Sequence, residues 1–401
     1  MNLSRPILSL KEYEPTSFEK YEISEENACL ISDHYSKQIC LDYPTPKTNH
    51  KYQLTSQGWV GYIPLSSSLV LELKPKVELS NLFRMIEYAY NLKSFMFIDG
   101  LIDCSSLEEF FEQLANVLSK RILNRGRRGF YRAYLAQIEQ LPYARGRLNV
   151  QEAIRKPWDV NLHYQFEENT ADIIENQILL WTLLKISRSG ACSERVAPVV
   201  RNAFRSLKGF ASVQPFSAKD CIKRLYNRLN DDYKTLHALC RFFLEQCGPS
   251  HVVGDKTFLP FLVNMNRLYE LFVAEWLKIN LPDRFNLKIQ EKVVIGESQE
   301  FSFLLDMVIY DIATGKPVCV LDTKYKANEK PSSEAITQAV AYAEMKYCNQ
   351  AILVYPIHHK KELNEFIGSK RIRSLPFCLD GDLEANGQEF LKLLLMNLVY
   401  N

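Results

Sequence analysis

The sequence predicts a multidomain α+β protein that ends in an α/β domain, and three observations support this fold class. The length of 401 residues is sufficient for two or three domains with cores of their own. A hydrophobic content of 47% and a charged content of 24% are typical of a globular protein in water. The residue pattern also changes twice along the chain. We therefore expect a β-rich N-terminal domain over residues 1–105, a mostly helical middle region over 106–250 and an α/β domain over 251–401.

Short apolar runs interrupted by Gly, Pro and Ser identify the N-terminal region as β-rich. We predict strands from the runs at 26–36, 58–65 and 68–77. The segment 79–92 has apolar residues at helical spacing, and Ser80 is its expected N-cap.

Helical spacing of apolar residues dominates the middle region. It is clearest in three segments, at 106–123, 168–187 and 233–247. The stretch CGPSHVVGDK at 247–256 contains turn-forming residues, so we expect a linker there.

Helices and strands alternate from residue 257 onwards. The predicted order is a helix, a strand, two strands joined by a turn, a helix, a buried strand and a last helix, at 261–280, 286–295, 301–326, 332–347, 350–357 and 389–400. A strand, a helix and a strand in succession predict a partly parallel sheet with helices packed on it.

The bulk composition excludes several classes of protein. A formal net charge of +2 provides no global attraction for nucleic acid, so any basic surface must be local. The ten cysteines show no CxxC spacing, the N-terminal stretch lacks the long apolar core typical of a signal peptide, and no stretch approaches the ~20 apolar residues of a membrane span. We therefore expect a cytoplasmic protein without a membrane partner, whose cysteines are small buried hydrophobic residues.

Three ionisable residues in the segment FSFLLDMVIYDIATGKPVCVLDTKYK, at 301–326, are the most informative feature. Asp306 interrupts the first apolar run, and the second run ends on Asp322 and Lys324. Because side chains alternate along a strand, Asp322 and Lys324 point to the same face. The short turn makes the two strands antiparallel neighbours. Two carboxylates and one ammonium group therefore converge at one edge of the sheet, where unpaired charges are costly.

This convergence predicts a metal site. Two close carboxylates repel each other unless a cation lies between them, and Mg²⁺ prefers oxygen ligands. We expect the backbone carbonyl of Thr323 to supply a further ligand. The ion would lower the pKa of bound water and stabilise phosphorane charge, and Lys324 would orient or deprotonate the attacking water. These are the requirements of phosphodiester hydrolysis.

The Asp/Glu-x-Lys triplet is a weak signal by itself, because it occurs at two other places. The triplet Glu72–Lys74 lacks an acidic residue on an adjoining hairpin strand. The triplet Asp232–Lys234 lies in a helical pattern, in which residues two apart do not share a face. From the residues alone, catalysis and a surface salt bridge at a hairpin end both remain open for the 301–326 segment.

The arrangement resembles the active site of the PD-(D/E)xK nuclease superfamily, with Asp306 as the first acid and Asp322, Thr323 and Lys324 as the signature triplet. The resemblance implies a restriction-endonuclease-like α/β fold for residues 251–401. It departs from the superfamily pattern at Leu305, where the proline that gives the superfamily its name would stand.

The same resemblance implies roles for three helical residues. Glu270 occupies the position of the glutamate that many members carry on a helix, which implies a catalytic and metal-binding role. Gln338 and Tyr342 resemble the Q-x-x-x-Y element of several branches, which implies a supporting role. The alternatives are a solvated helix residue for Glu270 and ordinary helix packing for Gln338 and Tyr342.

Longer segments resemble McrC, the nuclease subunit of McrBC-type modification-dependent restriction systems. The stretch at 58–92 is similar to the N-terminal signature of that family. Further similar segments lie at 141–150, 172–184 and 264–273. The resemblance implies a metal-dependent DNA endonuclease, with Mg²⁺ or Mn²⁺ as the cofactor and double-stranded, methylated DNA as the substrate.

The resemblance to McrC also implies a partner. Proteins of that family work with McrB, an AAA+ GTPase, and this chain contains no G-x-x-x-x-G-K-[ST] motif. GTP would therefore be bound by the partner and not by this chain. The N-terminal domain would dock to the GTPase, and the C-terminal domain would cut.

Basic residues are concentrated at 120–134 and 145–147. Arginine interleaved with tyrosine favours phosphate contacts and stacking on bases. A solvated helix end and a contact with the GTPase are the alternatives, so these arginines are a candidate interface, namely Arg125, Arg127, Arg128, Arg132, Arg145 and Arg147.

Two other functions compete with the nuclease subunit. One is a non-catalytic subunit that assembles with and regulates the GTPase, and intact charges at Asp306, Asp322 and Lys324 argue against it. The other is a stand-alone repair nuclease, against which the large N-terminal half without a DNA-reading motif argues. An AAA+ GTPase in the neighbouring reading frame would favour the subunit.

Overall fold

The computed structural model describes two compact units, residues 1–110 with 248–401 and residues 111–247. The residues described are 6–66, 69–92, 104, 106–189, 192–246, 251–253, 256–258, 260–295, 301–326 and 330–396. The predicted N-terminal and C-terminal regions thus share the first unit, and most of the predicted middle region forms the second.

The helices are numbered in chain order. They are α1 (Glu25–Tyr35), α2 (Leu79–Ala89), α3 (Leu107–Arg128), α4 (Val150–Arg155), α5 (Ile174–Arg188), α6 (Ala197–Lys208), α7 (Asp232–Gln246), α8 (Met265–Asn280), α9 (Ser333–Met345) and α10 (Leu383–Leu395).

The strands follow the same numbering. They are β1 (Ile7–Lys11), β2 (Thr16–Phe18), β3 (Ile39–Asp42), β4 (Tyr52–Ser56), β5 (Trp59–Pro64), β6 (Val70–Lys74), β7 (Ala133–Leu141), β8 (Arg147–Leu148), β9 (Leu162–Thr170), β10 (His251–Val253), β11 (Lys256–Phe258), β12 (Phe261–Asn264), β13 (Phe285–Ile295), β14 (Phe301–Asp311), β15 (Pro317–Thr323), β16 (Gln350–Tyr355), β17 (Asn364–Ile367) and β18 (Lys370–Pro376).

The described residues of the N-terminal part of the first unit form two small sheets and the helices α1 and α2. One sheet has the order β1-β6-β5-β12, with β1 parallel to β6, and the other has the order β2-β4-β3. Side chains of both sheets and of α1 form a common core, which includes Leu10, Tyr35, Leu54 and Leu71. The predicted strands at 58–65 and 68–77 are confirmed as β5 and β6.

The predicted strand at 26–36 is wrong, because this segment is the helix α1. Ser24 caps the helix by accepting a hydrogen bond from the backbone N–H of Asn27. The buried residues Ala28, Ile31 and Tyr35 recur at helical spacing. A short helix and a short strand are hard to separate by periodicity, so the cap was the better signal.

Other assignments also differ from the prediction. The helix α2 begins at Leu79 with Glu78 as its N-cap, so Ser80 lies inside the helix and is not the cap. Residues 261–264, predicted as helix, form β12, which pairs with β5. In the predicted linker at 247–256, residues 251–253 form β10, which pairs with β11 at 256–258.

A six-stranded sheet organises the C-terminal part of the first unit, with the order β13-β14-β15-β16-β18-β17. The strands β13, β14 and β15 are antiparallel, whereas β15, β16 and β18 are parallel. The predicted partly parallel sheet is therefore confirmed. The helix α9 packs on it through Ala339 and Tyr342, against Val320 and Leu353.

The strands β17 and β18 were not predicted. Charged residues interrupt β18, and Arg373 is buried in it with an exposed fraction of 4%. Arg373 is tolerated there because its guanidinium group donates to the backbone carbonyls of Leu393 and Leu394, at the end of α10.

The second unit combines helices with a three-stranded sheet of the order β7-β9-β8. The predicted helix at 233–247 corresponds to α7, and that at 168–187 corresponds to α5 except at its start, where residues 168–170 belong to β9. The sheet was not predicted, because most of its strand residues are polar or exposed and only β9 has alternating buried apolar residues, Tyr164 and Phe166. In β7, for example, Tyr134 and Ile138 are both exposed.

Candidate active site

Two carboxylates occupy neighbouring positions in the hairpin of β14 and β15. The strands pair Met307 with Leu321, so Asp306 and Asp322 stand at the next position of each strand. Oδ2 of Asp306 accepts hydrogen bonds from the backbone N–H and from the hydroxyl of Thr323, each at 3.0 Å. These bonds fix the carboxylate of Asp306 against the end of β15.

Asp322 is a buried carboxylate with an exposed fraction of 5%. Its Oδ2 lies 2.7 Å from Nζ of Lys324, but within the described chain this oxygen accepts no hydrogen bond of good geometry. Burial, followed by the negative charge of Asp306, raises the pKa of Asp322 to about 6, although Lys324 acts in the opposite direction. The site therefore holds more negative charge than Lys324 compensates.

Lys324 lies at the start of a chain of polar contacts. Its Nζ donates a hydrogen bond to Oε1 of Gln338 at 2.8 Å. Nε2 of Gln338 in turn donates to the hydroxyl oxygen of Tyr342 at 2.6 Å. Because Gln338 and Tyr342 lie one turn apart on α9, the helix holds Lys324 from one side.

Glu270 is placed beside the carboxylate pair by α8. Its Oε1 accepts hydrogen bonds from Nη1 of Arg267 at 2.7 Å and from Nε2 of Gln290 at 3.0 Å. Burial raises the pKa of Glu270, and the charge of Asp306 adds to this effect. The charge of Glu270 also contributes to the raised pKa of Asp322. The three predicted acids are therefore electrostatically coupled.

Gln290 was missed by the sequence analysis. Strand alternation places it on the same face as Lys288 and Lys292, which predicts a solvent-facing side chain. However, β13 pairs with β14 through Ile289 and Glu291 but not through Gln290, whose φ of 50° is left-handed. This irregularity interrupts the alternation, and no local pattern of residues indicates it.

The carboxylate pair fits a magnesium ion. No three His, Cys, Asp or Glu side chains are arranged to share one metal ion in the part of the chain that the structure describes. Mg²⁺ is usually held by only one or two carboxylates and keeps several waters. Asp306 and Asp322 offer oxygen atoms only, and Oδ2 of Asp322 is a buried oxygen without a hydrogen bond from any described residue. Glu270 and the carbonyl of Thr323 remain predicted ligands.

Two arginines of the candidate interface are engaged within the second unit. Nη2 of Arg125 donates to the carbonyl oxygen of Leu229 at 2.9 Å, and Nη1 lies 3.5 Å from the carboxylate of Asp232. Arg132 donates to both the side chain and the backbone of Asn169. These contacts account for the positions of both arginine side chains, so no ligand is needed to explain them.

The other arginines of the candidate interface differ in their surroundings. Arg145 lies 3.3 Å from the carboxylate of Glu168. Arg127, Arg128 and Arg147 are exposed. The exposed guanidinium groups are therefore the ones that remain available to an external partner.

The burial of the cysteines and the apolar character of the helices bear on two further predictions. Cys240, Cys319 and Cys348 are buried as predicted, whereas Cys29 and Cys40 are exposed. Among the described helices, none is long and apolar enough to cross a membrane.

A family model for the McrBC 5-methylcytosine restriction system component matches residues 54–356. The matched range covers well over half of the chain and contains the whole candidate active site. It extends from β4 to the end of β16, the strand that neighbours Asp322 in the sheet.

One curated relative and two solved structures are similar to the chain. The type IV methyl-directed restriction enzyme EcoKMcrBC of Escherichia coli (strain K12) is 22% identical over 327 residues, which are 73% of this chain and 91% of that protein. A chain of the refined half-complex from the tetradecameric assembly of Thermococcus gammatolerans McrB AAA+ hexamers with bound McrC has a TM-score of 0.54 and 16% identity, over 97% of this chain and 100% of that chain. A chain of the cryo-EM structure of the Thermococcus gammatolerans McrBC complex has a TM-score of 0.44 and 17% identity, over 69% of this chain and 89% of that chain.

Proposed function

Because this chain belongs to the family of McrBC 5-methylcytosine restriction system components, as an McrC-type member, we propose that it is the nuclease subunit of a GTP-driven restriction complex. Its reaction is the Mg²⁺-dependent hydrolysis of phosphodiester bonds in methylated double-stranded DNA. The observation that carries the proposal is the convergence of Asp306, Asp322 and Lys324 at the edge of one hairpin, with Asp322 buried.

The fold of the C-terminal part supports a PD-(D/E)xK nuclease. An acid lies on one strand of an antiparallel hairpin, and the Asp-x-Lys triplet ends the next strand, which continues into a parallel pair. The other two triplets lack this context. Glu72 bonds to Ser9 and Tyr62, and Asp232 is the first residue of α7.

Each residue of the site has a task that follows from its contacts. Asp306 is oriented by Thr323, which leaves its Oδ1 available for a ligand. Lys324, held by Asp322 and Gln338, directs an ammonium group towards the site, where it orients the attacking water and offsets negative charge on the scissile phosphate. Glu270, whose pKa is raised by burial, holds a proton more readily than an exposed glutamate.

The carboxylates of Asp306 and Asp322 are the residues that would hold the metal. Mg²⁺ bound there would stabilise the negative charge that develops on the phosphate and would lower the pKa of bound water. Mn²⁺ would serve in its place, because it also accepts carboxylate and water ligands.

An AAA+ GTPase is the proposed partner. The solved assembly whose chain has a TM-score of 0.54 to this fold contains McrB AAA+ hexamers with bound McrC. GTP hydrolysis is assigned to this partner, since the sequence lacks a phosphate-binding G-x-x-x-x-G-K-[ST] motif. We assign recognition of the methylated base to the partner as well.

Cleavage of methylated plasmid DNA tests the proposal. The full chain is assembled with its co-encoded AAA+ partner in the presence of GTP and Mg²⁺, and an unmethylated plasmid serves as the second substrate. We expect wild type to cut the methylated plasmid and Asp322→Asn to lose about 100-fold or more of the rate. Glu291→Gln is the matched control, because Glu291 lies on β13 of the same sheet and pairs with Lys346 instead.

Each competing function predicts a different result in this cleavage experiment. Equal cleavage by wild type and Asp322→Asn would refute the assigned site. If wild type never cuts but still accelerates GTP turnover by the partner, the chain is an assembly subunit. Cleavage that needs neither GTP nor the partner would make it a stand-alone nuclease.

A further inference from the structure

Two lysines surround the ring of Tyr13 in the first unit. Nζ of Lys76 lies 5.7 Å from the centre of the ring, and Nζ of Lys326 lies 5.5 Å from it. Both lysines are exposed. Because Lys326 follows Lys324 by two residues, this group of side chains lies next to the candidate active site along the chain.

Tyr13 is held in place by contacts with three other segments. Its φ of 59° is left-handed, which is uncommon for an aromatic residue. Its N–H donates to the carbonyl oxygen of Ser56 at 3.0 Å, and its hydroxyl is hydrogen-bonded to the side chain of Asn266. A Cβ atom on Gly58 would lie 2.2 Å from this hydroxyl, so only glycine leaves room for the ring. Asn266 precedes Glu270 by one turn on the same face of α8.

A buried carboxylate fixes both lysine-bearing segments. Glu12 has an exposed fraction of 0%. Its Oε2 accepts a hydrogen bond from the backbone N–H of Lys76 at 2.9 Å and another from the hydroxyl of Tyr325, also at 2.9 Å. Tyr325 immediately precedes Lys326, so one side chain holds the two segments together.

The charges of the two lysines are poorly compensated. Neither lysine forms an ion pair with a side chain of the described residues, although the charge of the buried Glu12 is close enough to interact with Lys76. A bound anion would supply the charge-assisted hydrogen bonds that the described side chains do not offer to these ammonium groups. The left-handed backbone of Tyr13, the fitted Gly58 and two exposed lysines without a salt-bridge partner among the described side chains together indicate a ligand-binding surface.

We propose that Lys76 and Lys326, arranged around Tyr13, bind the phosphodiester backbone of the DNA strand that is cut. This inference rests on the proposed nuclease function and names a substrate contact beyond the catalytic triplet. Lysines that bind phosphates position the duplex without reading its sequence. The contact would therefore set the register of the strand relative to Asp322 and act on methylated and unmethylated DNA alike.

The salt dependence of DNA binding tests the proposal. Binding of a labelled duplex to the full chain is measured by fluorescence anisotropy over a series of salt concentrations without divalent cations, so that cleavage does not contribute. For Lys76→Ala and Lys326→Ala we expect the slope of log affinity against log salt to become shallower by about 0.9 each, and by roughly twice that in the double variant. Lys47→Ala, which removes an exposed lysine elsewhere in the N-terminal part, is the matched control and should keep the wild-type slope.

The charge-preserving variants Lys76→Arg and Lys326→Arg should retain the wild-type slope, and thermal unfolding verifies that all variants are folded. An unchanged slope in a folded double alanine variant would overturn the proposal, as would the absence of DNA binding by wild type. Loss of affinity for the AAA+ partner with an unchanged DNA slope would overturn it too, and would assign the surface to that partner. Wild type that binds with the expected slope but never cuts with Mg²⁺ would refute the nuclease function while supporting the contact.

Discussion

Nζ of Lys324 donates a hydrogen bond to Oε1 of Gln338 at 2.8 Å, which ties the end of β15 to the middle of α9. The amide group of Gln338 is held in turn by its bond to Tyr342. A lysine between a carboxylate and an oriented amide loses rotational freedom, so its ammonium group is held in one position.

We predict from this contact that Gln338→Ala lowers the cleavage rate of the assembled complex by about 10-fold, the equivalent of one charge-assisted hydrogen bond. The affinity for DNA should change little, because Gln338 positions Lys324 and does not bind the duplex. Thr337→Ala, an exposed neighbour on the same helix, should cut at the wild-type rate. If Gln338→Ala cut as fast as wild type, Lys324 would not depend on this contact.

Without a bound metal ion, the buried negative charges should lower the stability of the folded protein. In the presence of a chelator we expect Asp322→Asn to be more stable than wild type by about 1–2 kcal/mol, because a buried charge beside Asp306 and Glu270 is relieved. Added Mg²⁺ should raise the thermal midpoint of wild type and leave that of Asp322→Asn unchanged.

The control for this measurement is Glu291→Gln, which should respond to Mg²⁺ like wild type. Thermal unfolding with and without Mg²⁺ is sufficient as the readout. An equal response of wild type and Asp322→Asn to Mg²⁺ would separate Asp322 from the metal site.

Gly61 is expected to be irreplaceable in β5. Its φ is 137°, and a Cβ atom would lie 2.0 Å from the carbonyl oxygen of Phe261 on the neighbouring strand β12. Gly61→Ala should therefore lower the free energy of unfolding by about 3 kcal/mol or more, by separating β5 from β12. Gly315→Ala shares the left-handed backbone but has open space around its Cβ, so a loss of only about 1 kcal/mol is expected from chemical denaturation.

A pH-dependent stability is predicted for the second unit. His237 is fully buried, and its two ring nitrogens lie 2.9 Å from the hydroxyl of Tyr226 and 3.0 Å from the carbonyl oxygen of Glu175. Burial lowers the pKa of His237. The unfolded chain therefore takes up this proton at a higher pH than the folded one, and stability falls as the pH drops below about 6.5.

Denaturant unfolding at pH 7.5 and pH 5 would measure this effect. Glutamine cannot take up the proton, so His237→Gln should lose less stability between these two pH values than wild type. His34→Gln, which replaces an exposed histidine, should keep the wild-type difference. Identical pH dependence of wild type and His237→Gln would show that another group is responsible.

Local patterns predicted much of the C-terminal sheet. The hairpin of β14 and β15 and the helix α9 follow from strand alternation, a short turn and helical spacing. The helix α1 and the strand β12 were assigned to the wrong class, because both are too short for periodicity to separate helix from strand. The strands β17 and β18 and the sheet of β7, β8 and β9 were missed, because polar and charged residues interrupt their apolar patterns.

The candidate active site was also predicted only in part from the sequence. Asp306, Asp322 and Lys324 were found from sequence alone, because alternation and one tight turn bring them to the same edge. Gln290 reaches Glu270 across 20 residues through a left-handed residue in a strand, and no periodic pattern encodes such a conformation.

The placement of the candidate triplet Asp322, Thr323 and Lys324 is thus a property of a few consecutive residues, whose directions follow from the geometry of a strand. The surroundings of the triplet are decided by packing. Glu12 bonds to Tyr325 across 313 residues, and Tyr13, Lys76 and Lys326 meet around one ring although each lies in an unremarkable stretch of sequence. Contacts of this kind depend on which strands and helices pack together, and only the tertiary structure establishes them.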